Sequence, residues 1–388
     1  MTAMRNPLSQ KIVGIPPSGI RKFFDVAATM EDVISLGVGE PDFDTPWMVR
    51  AAGILSLEKG QTTYTSNSGL QELRDQISAY MKRSIHIDYD PVSEVLVTVG
   101  GSEAIDAALR CMIDPGDEVL LPEPSFVSYH PCTVMADGVP VVIPLQNKND
   151  FKVTVEELQA ALTPKTKILI LSFPNNPTGA IMTREELKPI AEFVVENDLY
   201  VISDEIYSEL NYLDKHVSIA SLPGMRDRTI VINGFSKGFA MTGWRLGWAC
   251  GPKLIIEEML KLHQYAIMCA PTTSQYAAIV ALKDCEDDVA EMRAAYNERR
   301  QFLMTEFERL GLKCFEPFGA FYVFPSIEQF GMTSEEFATR ILHEERLAVV
   351  PGTAFGASGE GFLRISYAYS IENLKEAIVR LERFISKL

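Results

Sequence analysis

The chain has 388 residues, of which 47% are hydrophobic and 23% are charged, and its formal net charge is −16 at pH 7. This length allows a large core and more than one domain. The acidic surface predicts repulsion of nucleic acid and of anionic membranes, so neither is an expected partner. No segment approaches the roughly 18 uncharged apolar residues of a membrane helix, and residues 1–10 lack the apolar core of a signal peptide. We therefore expect a cytoplasmic protein.

The cysteines and histidines show no metal-binding pattern. The six cysteines are scattered without a C-x-x-C pair, and we predict that they are buried thiols. The five histidines form no H-E-x-x-H or similar pair, so we expect no protein-bound metal. The chemistry of the protein must come from other residues.

Between about residues 45 and 280, short β-branched runs alternate with amphipathic helical stretches. Continuous apolar runs of this length suit strands buried on both faces, and the helical intervals between most of them imply crossovers. We therefore predict an α/β fold with a doubly wound, mainly parallel seven-stranded sheet flanked by helices. The strand candidates are residues 95–99, 118–121, 140–143, 167–171, 200–203, 229–232 and 246–249.

After about residue 283 the pattern changes to a smaller α+β segment. Its predicted elements are a long charged helix over 287–310, a strand over 320–324, a helix over 334–345, strands over 348–350 and 362–366, and a final helix from Ile371. We predict a large domain over 45–283 and a small domain over 284–388, which is completed by segment 1–44. No Gly/Ser linker separates the two domains, so we expect continuous helix to join them.

Ligands of open α/β sheets bind beyond the carboxyl ends of the strands, so the residues that follow each strand are the candidate site. Gly100-Gly101-Ser102 follows the first strand and opens a helix, where backbone N–H groups, the helix dipole and a hydroxyl suit a phosphate. The alternative is a plain turn with Ser102 as N-cap. The fourth strand runs into residues 174–179 (PNNPTG), whose prolines leave an Asn side chain able to donate to a phenolate-type oxygen. A plain turn is again the alternative.

The fifth strand ends in Ser203-Asp204-Glu205-Ile206-Tyr207. An aspartate at the end of an apolar run is costly unless it pairs with a cation, and a pyridinium N–H would serve. Tyr207 follows closely enough to reach another atom of the same small ring. The alternative is that Asp204 caps the next helix.

The sixth strand ends in Asn233-Gly-Phe-Ser-Lys237. Burial and cationic neighbours would lower the pKa of Lys237 toward the neutral amine that attacks carbonyls. Ser236 and Arg245 supply a hydroxyl and a guanidinium for an anion. Taken alone, Lys237 also fits a solvated loop lysine. A phosphate cradle, a ring-oxygen donor, a pyridinium partner and a Schiff-base lysine at successive strand ends, however, together specify one cofactor.

These residues give the sequence a close resemblance to the class I/II aminotransferases, the fold-type I enzymes of pyridoxal 5′-phosphate (PLP). The resemblance runs over nearly the whole chain, from residues 34–46 to residues 361–367, and its most specific part is the block Ser236-Lys237-x-x-x-Met241-Thr-Gly-Trp-Arg245. It implies the PLP-dependent transferase type I fold and an aminotransferase that works by a ping-pong mechanism.

The resemblance also implies roles for individual residues. Lys237 would form the Schiff base with PLP and later shuttle a proton, while Asp204 would contact the pyridine nitrogen. Tyr207 and Asn176 would contact the phenolic oxygen of the ring. The residues implied for the cofactor phosphate are Gly101, Ser102, Ser236 and Arg245.

Four further residues match family positions. Phe126 occupies the place of the aromatic that stacks on the cofactor ring, with a core aromatic as the alternative. Tyr64 resembles the tyrosine that reaches the neighbouring subunit's phosphate, which implies a homodimer with shared active sites. Arg364 matches the arginine that binds the substrate α-carboxylate, and Gly39 matches the glycine beneath the substrate. A buried structural arginine is the alternative for Arg364.

The resemblance also indicates a class of substrate. Resemblance to the subgroup with Gly19-Ile-Arg-Lys22 and Ser125-Phe-Val-Ser-Tyr129 suggests an aromatic amino donor, with aspartate or N-acetyl-diaminopimelate as alternatives, and 2-oxoglutarate as acceptor. A carbon–sulfur β-lyase is the nearest enzymatic alternative. A PLP-sensing regulatory module is another, although the acidic charge disfavours DNA binding. A cofactor-free interaction protein would require Lys237, Asp204 and Arg364 all to be incidental.

Overall fold

The computed structural model describes residues 5–17, 19 and 30–388. In chain order the helices and strands are α1 (Gln10–Val13), β1 (Ile34–Ser35), α2 (Trp47–Glu58), α3 (Gln71–Ile85), β2 (Val95–Thr98), α4 (Gly100–Met112), β3 (Glu118–Glu123), α5 (Tyr129–Met135), β4 (Val139–Pro144), α6 (Val155–Ala161), β5 (Thr166–Ser172), α7 (Arg184–Glu196), β6 (Tyr200–Asp204), β7 (Thr229–Gly234), β8 (Gly247–Cys250), α8 (Lys253–Ala266), α9 (Thr272–Asp284), α10 (Glu286–Leu310), β9 (Tyr322–Val323), α11 (Ser334–Glu345), β10 (Leu347–Ala348), β11 (Val350–Pro351), β12 (Leu363–Ser366) and α12 (Ile371–Ile385).

The predicted seven-stranded, mainly parallel sheet is confirmed. Its strand order is β2-β8-β7-β6-β5-β3-β4, and β8 alone runs antiparallel to its neighbours. The chain between β7 and β8 contains no α-helix to serve as a crossover, which is why β8 returns in the opposite direction. Each predicted run forms a strand within two residues of its expected bounds.

The two edge strands of the sheet, β2 and β4, differ in burial. Every residue of β2, β7 and β8 is buried, as expected for strands covered on both faces. The edge strand β4 is an exception, because most of its residues are partly or fully exposed. Pro140 and Pro144 suit this edge position, since proline cannot donate to a neighbouring strand.

The sheet brings several strand ends to one edge. Ser172 at the end of β5 lies opposite Asp204 at the end of β6, and Asp204 lies opposite Ile232 of β7. β2 and β7 both pair antiparallel with β8, so these two strands point the same way. The chain segments that follow β2, β5, β6 and β7 therefore start from the same edge.

The C-terminal elements form two small sheets. β11, β12 and β9 make an antiparallel three-stranded sheet, while β1 pairs in parallel with β10. The single strand expected over 348–350 is wrong, because β10 and β11 pair with different partners on either side of Val349. The strand expected over 320–324 is shortened, because Ala320 has a positive φ of 55° that ends the extended backbone. The domain boundaries at residues 44 and 283 stay a prediction, and residues 1–4, 18 and 20–29 of the first segment lie outside the described residues.

The expectation of a continuous helix between the two parts is wrong. α9 ends at Asp284, and Cys285 adopts φ −115° and ψ 27° before α10 begins. Three acidic residues fill the first turn of α10, where they favour a new helix N-terminus through the helix dipole.

Three of the six cysteines are buried as predicted: Cys285, at the break between α9 and α10, Cys132 and Cys250. The prediction of buried thiols is wrong for the other three cysteines, Cys111, Cys269 and Cys314, which are half-buried.

One cluster of buried side chains continues from the main sheet into the C-terminal elements. It includes Trp248 of β8, Tyr207 after β6 and Phe307 of α10, each less than 5% exposed. Such contiguous apolar packing holds the C-terminal elements against the sheet edge. Within residues 5–17, 19 and 30–388, no helix combines the length and the apolar character needed to cross a membrane.

Candidate active site

A cavity of about 580 Å³ lies where the ends of β2, β5, β6 and β7 face the C-terminal elements. It brings together every predicted site residue except Tyr64, whose side chain is outside it and 80% exposed. The predicted residues that line the cavity are Gly39, Gly101, Ser102, Phe126, Asn176, Asp204, Tyr207, Ser236, Lys237, Arg245 and Arg364.

Asp204 is a buried carboxylate at the end of β6. It accepts hydrogen bonds from Tyr129 Oη at 2.7 Å and from the Ile206 backbone N–H at 3.2 Å. No α-helix begins between β6 and β7, so the expectation that Asp204 caps a helix is wrong. Burial raises the pKa of Asp204 to about 6, although the Tyr129 hydrogen bond opposes that rise. In the described part of the chain no basic side chain forms an ion pair with Asp204, so its surroundings favour a cationic ligand.

Lys237 follows β7 and points into the cavity. Its Nζ donates a hydrogen bond to the Gly39 carbonyl at 2.5 Å. Burial lowers the pKa of Lys237 to about 8, with further lowering from the Arg364 and Arg245 guanidinium groups and an opposing effect of Glu40. Lys237 is therefore no solvated loop lysine. An appreciable fraction of its amine is neutral, and thus nucleophilic, near neutral pH.

Arg364 lies in the buried strand β12 and is 3% exposed. Its Nη1 donates to Asn176 Oδ1 at 3.0 Å, and Nη2 donates to the Gly37 carbonyl. The guanidinium carbon lies 4.6 Å from the ring centres of both Tyr322 and Phe355. Its Nε is buried without a hydrogen-bond partner, and no carboxylate within residues 30–388 pairs with it. A buried guanidinium that lacks an anion suits an anionic ligand better than a purely structural role.

The two asparagines of the 174–179 segment have different surroundings. Asn175 Oδ1 accepts hydrogen bonds from the backbone N–H and the hydroxyl of Thr178, so Asn175 stabilises the turn. Asn176 Oδ1 accepts from Arg364, and because arginine only donates, this contact fixes the orientation of the amide. The Asn176 amide nitrogen is thereby left to donate into the cavity, so the plain-turn alternative accounts for Asn175 alone.

The glycines after β2 allow a close approach to Arg245. Gly100 has a φ of +76°, and a Cβ there would lie 2.8 Å from Arg245 Nη2. α4 begins at Gly100 with Val99 as its N-cap, so the expectation that Ser102 is an N-cap is wrong. Ser102 is exposed in the first turn of α4 and its hydroxyl lines the cavity. Arg245 itself is held by a 2.9 Å hydrogen bond from Nη1 to the Thr242 carbonyl.

Three of the lining residues that the sequence analysis did not assign carry titratable side chains: Glu40, Tyr129 and Tyr322. Tyr129 ends the 125–129 segment already quoted, and its fixed place beside Asp204 emerges only from the packing. Tyr322 belongs to the apolar run 320–324, where a single hydroxyl gives no sequence signal. Phe126 also lines the cavity, and its ring packs edge-to-face on Tyr129 with 5.6 Å between the ring centres.

The donor set of the cavity fits PLP. The buried carboxylate of Asp204 suits a pyridinium, the Lys237 amine suits an aldehyde, and the Asn176 amide can donate to a phenolic oxygen. Backbone and hydroxyl donors at the start of α4, together with Arg245, suit a phosphate. Phe126 offers an aromatic face beside them.

Comparison with known proteins agrees with this chemistry. The family model for aminotransferase class I and II matches residues 31–381. The aspartate aminotransferase of Pyrococcus abyssi is 48% identical over 97% of this chain and 98% of its own length. The aromatic-amino-acid aminotransferase 2 of Thermococcus litoralis is 45% identical over 98% of both chains.

The fold is shared with solved structures of the same kind. The structure of Thermus thermophilus aspartate aminotransferase with maleate has a TM-score of 0.94 and 38% sequence identity, and the match covers 98% of this chain and 100% of that chain. Family members use PLP as cofactor. The chain therefore belongs to the class I and II aminotransferases and is a PLP-dependent enzyme.

Proposed function

We propose that this cavity holds PLP on Lys237 and transfers an amino group from an aromatic L-amino acid to 2-oxoglutarate by a ping-pong mechanism. The observation that carries the proposal is the meeting, in one cavity, of three ionisable side chains that have no ion-pair partner among the described residues. These are an amine with a lowered pKa, a buried carboxylate without a cation and a buried guanidinium without an anion, on Lys237, Asp204 and Arg364.

In this proposal the main sheet holds the cofactor. Asp204 keeps the pyridine nitrogen protonated, which stabilises negative charge that develops next to the ring. Tyr207 and Asn176 donate to the phenolic oxygen, and Phe126 packs on the ring face. The phosphate lies against Gly101, Ser102, Ser236 and Arg245. PLP supplies the electron sink, while the protein decides which bond of the substrate breaks.

Arg364 and Lys237 then determine which bond of the substrate breaks. Arg364 binds the α-carboxylate of the substrate, which orients the Cα–H bond toward the Lys237 amine. Lys237 Nζ would take that proton and pass it on toward the cofactor, and hydrolysis by water would then release the 2-oxo acid while PLP retains the amino group. Because Arg364 retains the carboxylate, decarboxylation is disfavoured.

This protomer provides, among its described residues, no second cation for a dicarboxylic donor, and an aromatic donor needs none. Once Lys237, Arg245 and Arg364 are assigned, no further lysine or arginine lines the described part of the cavity for a second substrate carboxylate. The exposed Glu40 carboxylate at its edge would repel one. A cation from a partner subunit would serve aspartate as well as 2-oxoglutarate, so the choice between the two donors rests on the comparison with relatives. The 45% identical aromatic-amino-acid aminotransferase agrees with an aromatic donor. Aspartate, the substrate named for the 48% identical relative, and N-acetyl-diaminopimelate are the alternatives.

A second protomer would complete the site. Tyr64 is 80% exposed, and so are large parts of Trp47 in α2 and Tyr265 in α8, at 64% and 86%. Exposed aromatic side chains favour an interface where they form one contiguous patch, so these three are candidates for contacts with a second protomer. We propose a homodimer in which Tyr64 contacts the partner's cofactor phosphate and in which the partner supplies the cation for the distal carboxylate of 2-oxoglutarate. Light scattering on the purified protein tests the dimer, and a monomer that retains full activity would contradict it. The cytoplasmic location stays a prediction from the sequence.

Single-turnover spectroscopy tests the proposed reaction. The holoenzyme is mixed separately with phenylalanine, tyrosine, aspartate and N-acetyl-diaminopimelate, and conversion of the cofactor band to the pyridoxamine form is followed. We expect the aromatic donors to convert fastest, and 2-oxoglutarate to restore the band. Release of ammonia and pyruvate from cysteine-type substrates would instead indicate a β-lyase. Absence of turnover with every donor would favour the regulatory alternative.

A further inference from the structure

Tyr322 lies between the two groups that would bind substrate and cofactor. Its hydroxyl is 2.8 Å from the Tyr207 hydroxyl, and the Arg364 guanidinium carbon lies 4.6 Å from the centre of its ring. The side chain is 1% exposed, so these contacts are its immediate surroundings. A Cβ at Gly39 would overlap the Tyr322 hydroxyl, which shows how closely the backbone encloses that oxygen.

Either hydroxyl can donate the hydrogen bond between the two phenols. Burial raises the pKa of Tyr322, but the Arg364 guanidinium partly offsets that rise. Burial raises the pKa of Tyr207 well above its ordinary value. The phenol beside the guanidinium is the more acidic one and thus the better donor, so we take Tyr322 as the donor to Tyr207. The Tyr207 proton is then free to point at another acceptor in the cavity.

We propose that Tyr322 is a positioning residue that couples occupation of Arg364 by a substrate carboxylate to the hydrogen bond between Tyr207 and the phenolic oxygen of PLP. This inference rests on the proposed function, because it requires PLP on Lys237 and a carboxylate on Arg364. The Tyr322 hydroxyl strengthens the Tyr207 donor in the free enzyme, since hydrogen bonds in a chain polarise one another. When a carboxylate neutralises Arg364, Tyr322 becomes a weaker donor and the Tyr207 bond weakens with it.

The consequence is measurable at the Lys237 nitrogen. A strong hydrogen bond to the phenolic oxygen withdraws negative charge that would otherwise stabilise a protonated Schiff base. Tyr322 therefore keeps the pKa of that nitrogen low until substrate binds. The titratable and charged groups that face this nitrogen are Glu40, Asp204, Tyr207, Arg245, Tyr322 and Arg364.

The test is a spectrophotometric pH titration of the holoenzyme. Tyr322→Phe keeps the ring against Arg364 but removes the hydroxyl, and we expect the pKa of the Schiff base to rise by about half a pH unit. Tyr296→Phe is the matched control, because Tyr296 is a fully buried tyrosine that does not line the cavity. An unchanged or lowered pKa in Tyr322→Phe would overturn the proposal.

A double-mutant cycle shows whether Tyr322 acts through Tyr207. Tyr207→Phe should raise the same pKa by more than Tyr322→Phe does, and the double variant should match Tyr207→Phe alone. Additive shifts would overturn the coupling, because they would mean that Tyr322 acts independently.

A substrate-like carboxylate provides the third measurement. 3-Phenylpropionate can occupy Arg364 but carries no amino group, and in the unmodified enzyme it should raise the pKa of the Schiff base. In Tyr322→Phe the ligand-induced rise should be smaller by about a quarter of a pH unit, while the direct effect of the carboxylate remains. An equal rise in both proteins would contradict the coupling.

A separate experiment tests the proposed function itself. Borohydride reduction of the unmodified holoenzyme, followed by peptide analysis, should place the label on Lys237. A label elsewhere would overturn the proposed function and this inference with it. A label on Lys237 together with a Tyr322→Phe protein that titrates like Tyr296→Phe would overturn the inference alone.

Discussion

The two walls of the cavity are built differently. The sheet wall is formed by Asp204, Tyr207 and Lys237, which lie at or within three residues of the ends of strands of the main sheet. The strand wall, formed by Tyr322 and Arg364, consists of residues within the short strands β9 and β12. The sheet wall offers a carboxylate and an amine for a permanent cofactor. The strand wall offers a cation whose anion comes and goes with each substrate.

The two walls also differ in how their charged side chains are held. Asp204 and Lys237 have pKa values displaced by burial, so the sheet wall is poised for a charged ligand that stays. Burial also lowers the pKa of Arg364, but arginine stays charged, and aromatic rings and neutral oxygens hold it in place without neutralising it. The strand wall can therefore exchange carboxylates without rearranging. Four substitutions would break or sharpen this comparison.

The largest effect is expected from the sheet wall. Lys237→Ala should lower kcat by at least about 10⁴-fold, because it removes both the covalent attachment and the proton shuttle. Borohydride should no longer trap the cofactor on the protein. Lys215→Ala, at an exposed lysine, is the control and should keep full activity. Covalent trapping that survives in Lys237→Ala would refute the assignment.

Asp204→Asn should lower kcat by about 10²- to 10³-fold, because the pyridine nitrogen loses its charged partner. The same substitution should raise the stability of the apoprotein. The pKa of Asp204 is about 6 in the folded chain against an ordinary value of 3.8, so the folded state holds this proton more tightly. Apoprotein stability therefore falls as pH rises through that window, and the variant should regain up to about 3 kcal/mol at pH 7.

Thermal unfolding of the two apoproteins at pH 4 and pH 7 measures that effect. Asp227→Asn serves as a control at a side chain that is 93% exposed. An Asp204→Asn apoprotein no more stable than the unmodified one at pH 7 would mean that the carboxylate is already paired.

In the strand wall, Arg364→Lys should lower kcat/KM by about 10²-fold, because an ammonium cannot reproduce the two-pronged contact with a carboxylate. Borohydride trapping on Lys237 should remain normal, since the two walls act on different ligands. Arg309→Lys on the surface is the matched control. Lost trapping in Arg364→Lys would show that the walls are not separable.

The smallest effect concerns the edge of the cavity. Glu40 raises the pKa of Lys237, so Glu40→Gln should lower it, by less than about 1 pH unit because Glu40 is exposed. The rate at which apoprotein takes up PLP should rise with pH through the Lys237 pKa near 8, and the midpoint should move to lower pH in the variant. Glu72→Gln on α3 is the control. A midpoint that moves to higher pH in Glu40→Gln would contradict this prediction.

The sequence predicted the main sheet closely because each strand is a continuous apolar run ended by a clear break. It predicted the C-terminal strands less well. The run 320–324 looks like one strand, but the positive φ of Ala320 shortens it, and 348–350 divides between two partners. Very short strands carry too few residues for their pairing to be read from periodicity.

The sequence by itself determined the residues of the sheet wall, because a polar side chain directly after a buried strand must face the edge where ligands bind. In the strand wall the sequence indicated Arg364 through the family resemblance alone, and only the tertiary structure showed Tyr322 and the contacts of both residues. Lys237 meets Gly39 across 198 residues of chain, Arg364 meets Asn176 across 188, and Tyr207 meets Tyr322 across 115. No local pattern encodes such contacts, because they form only when the C-terminal elements pack against the edge of the sheet.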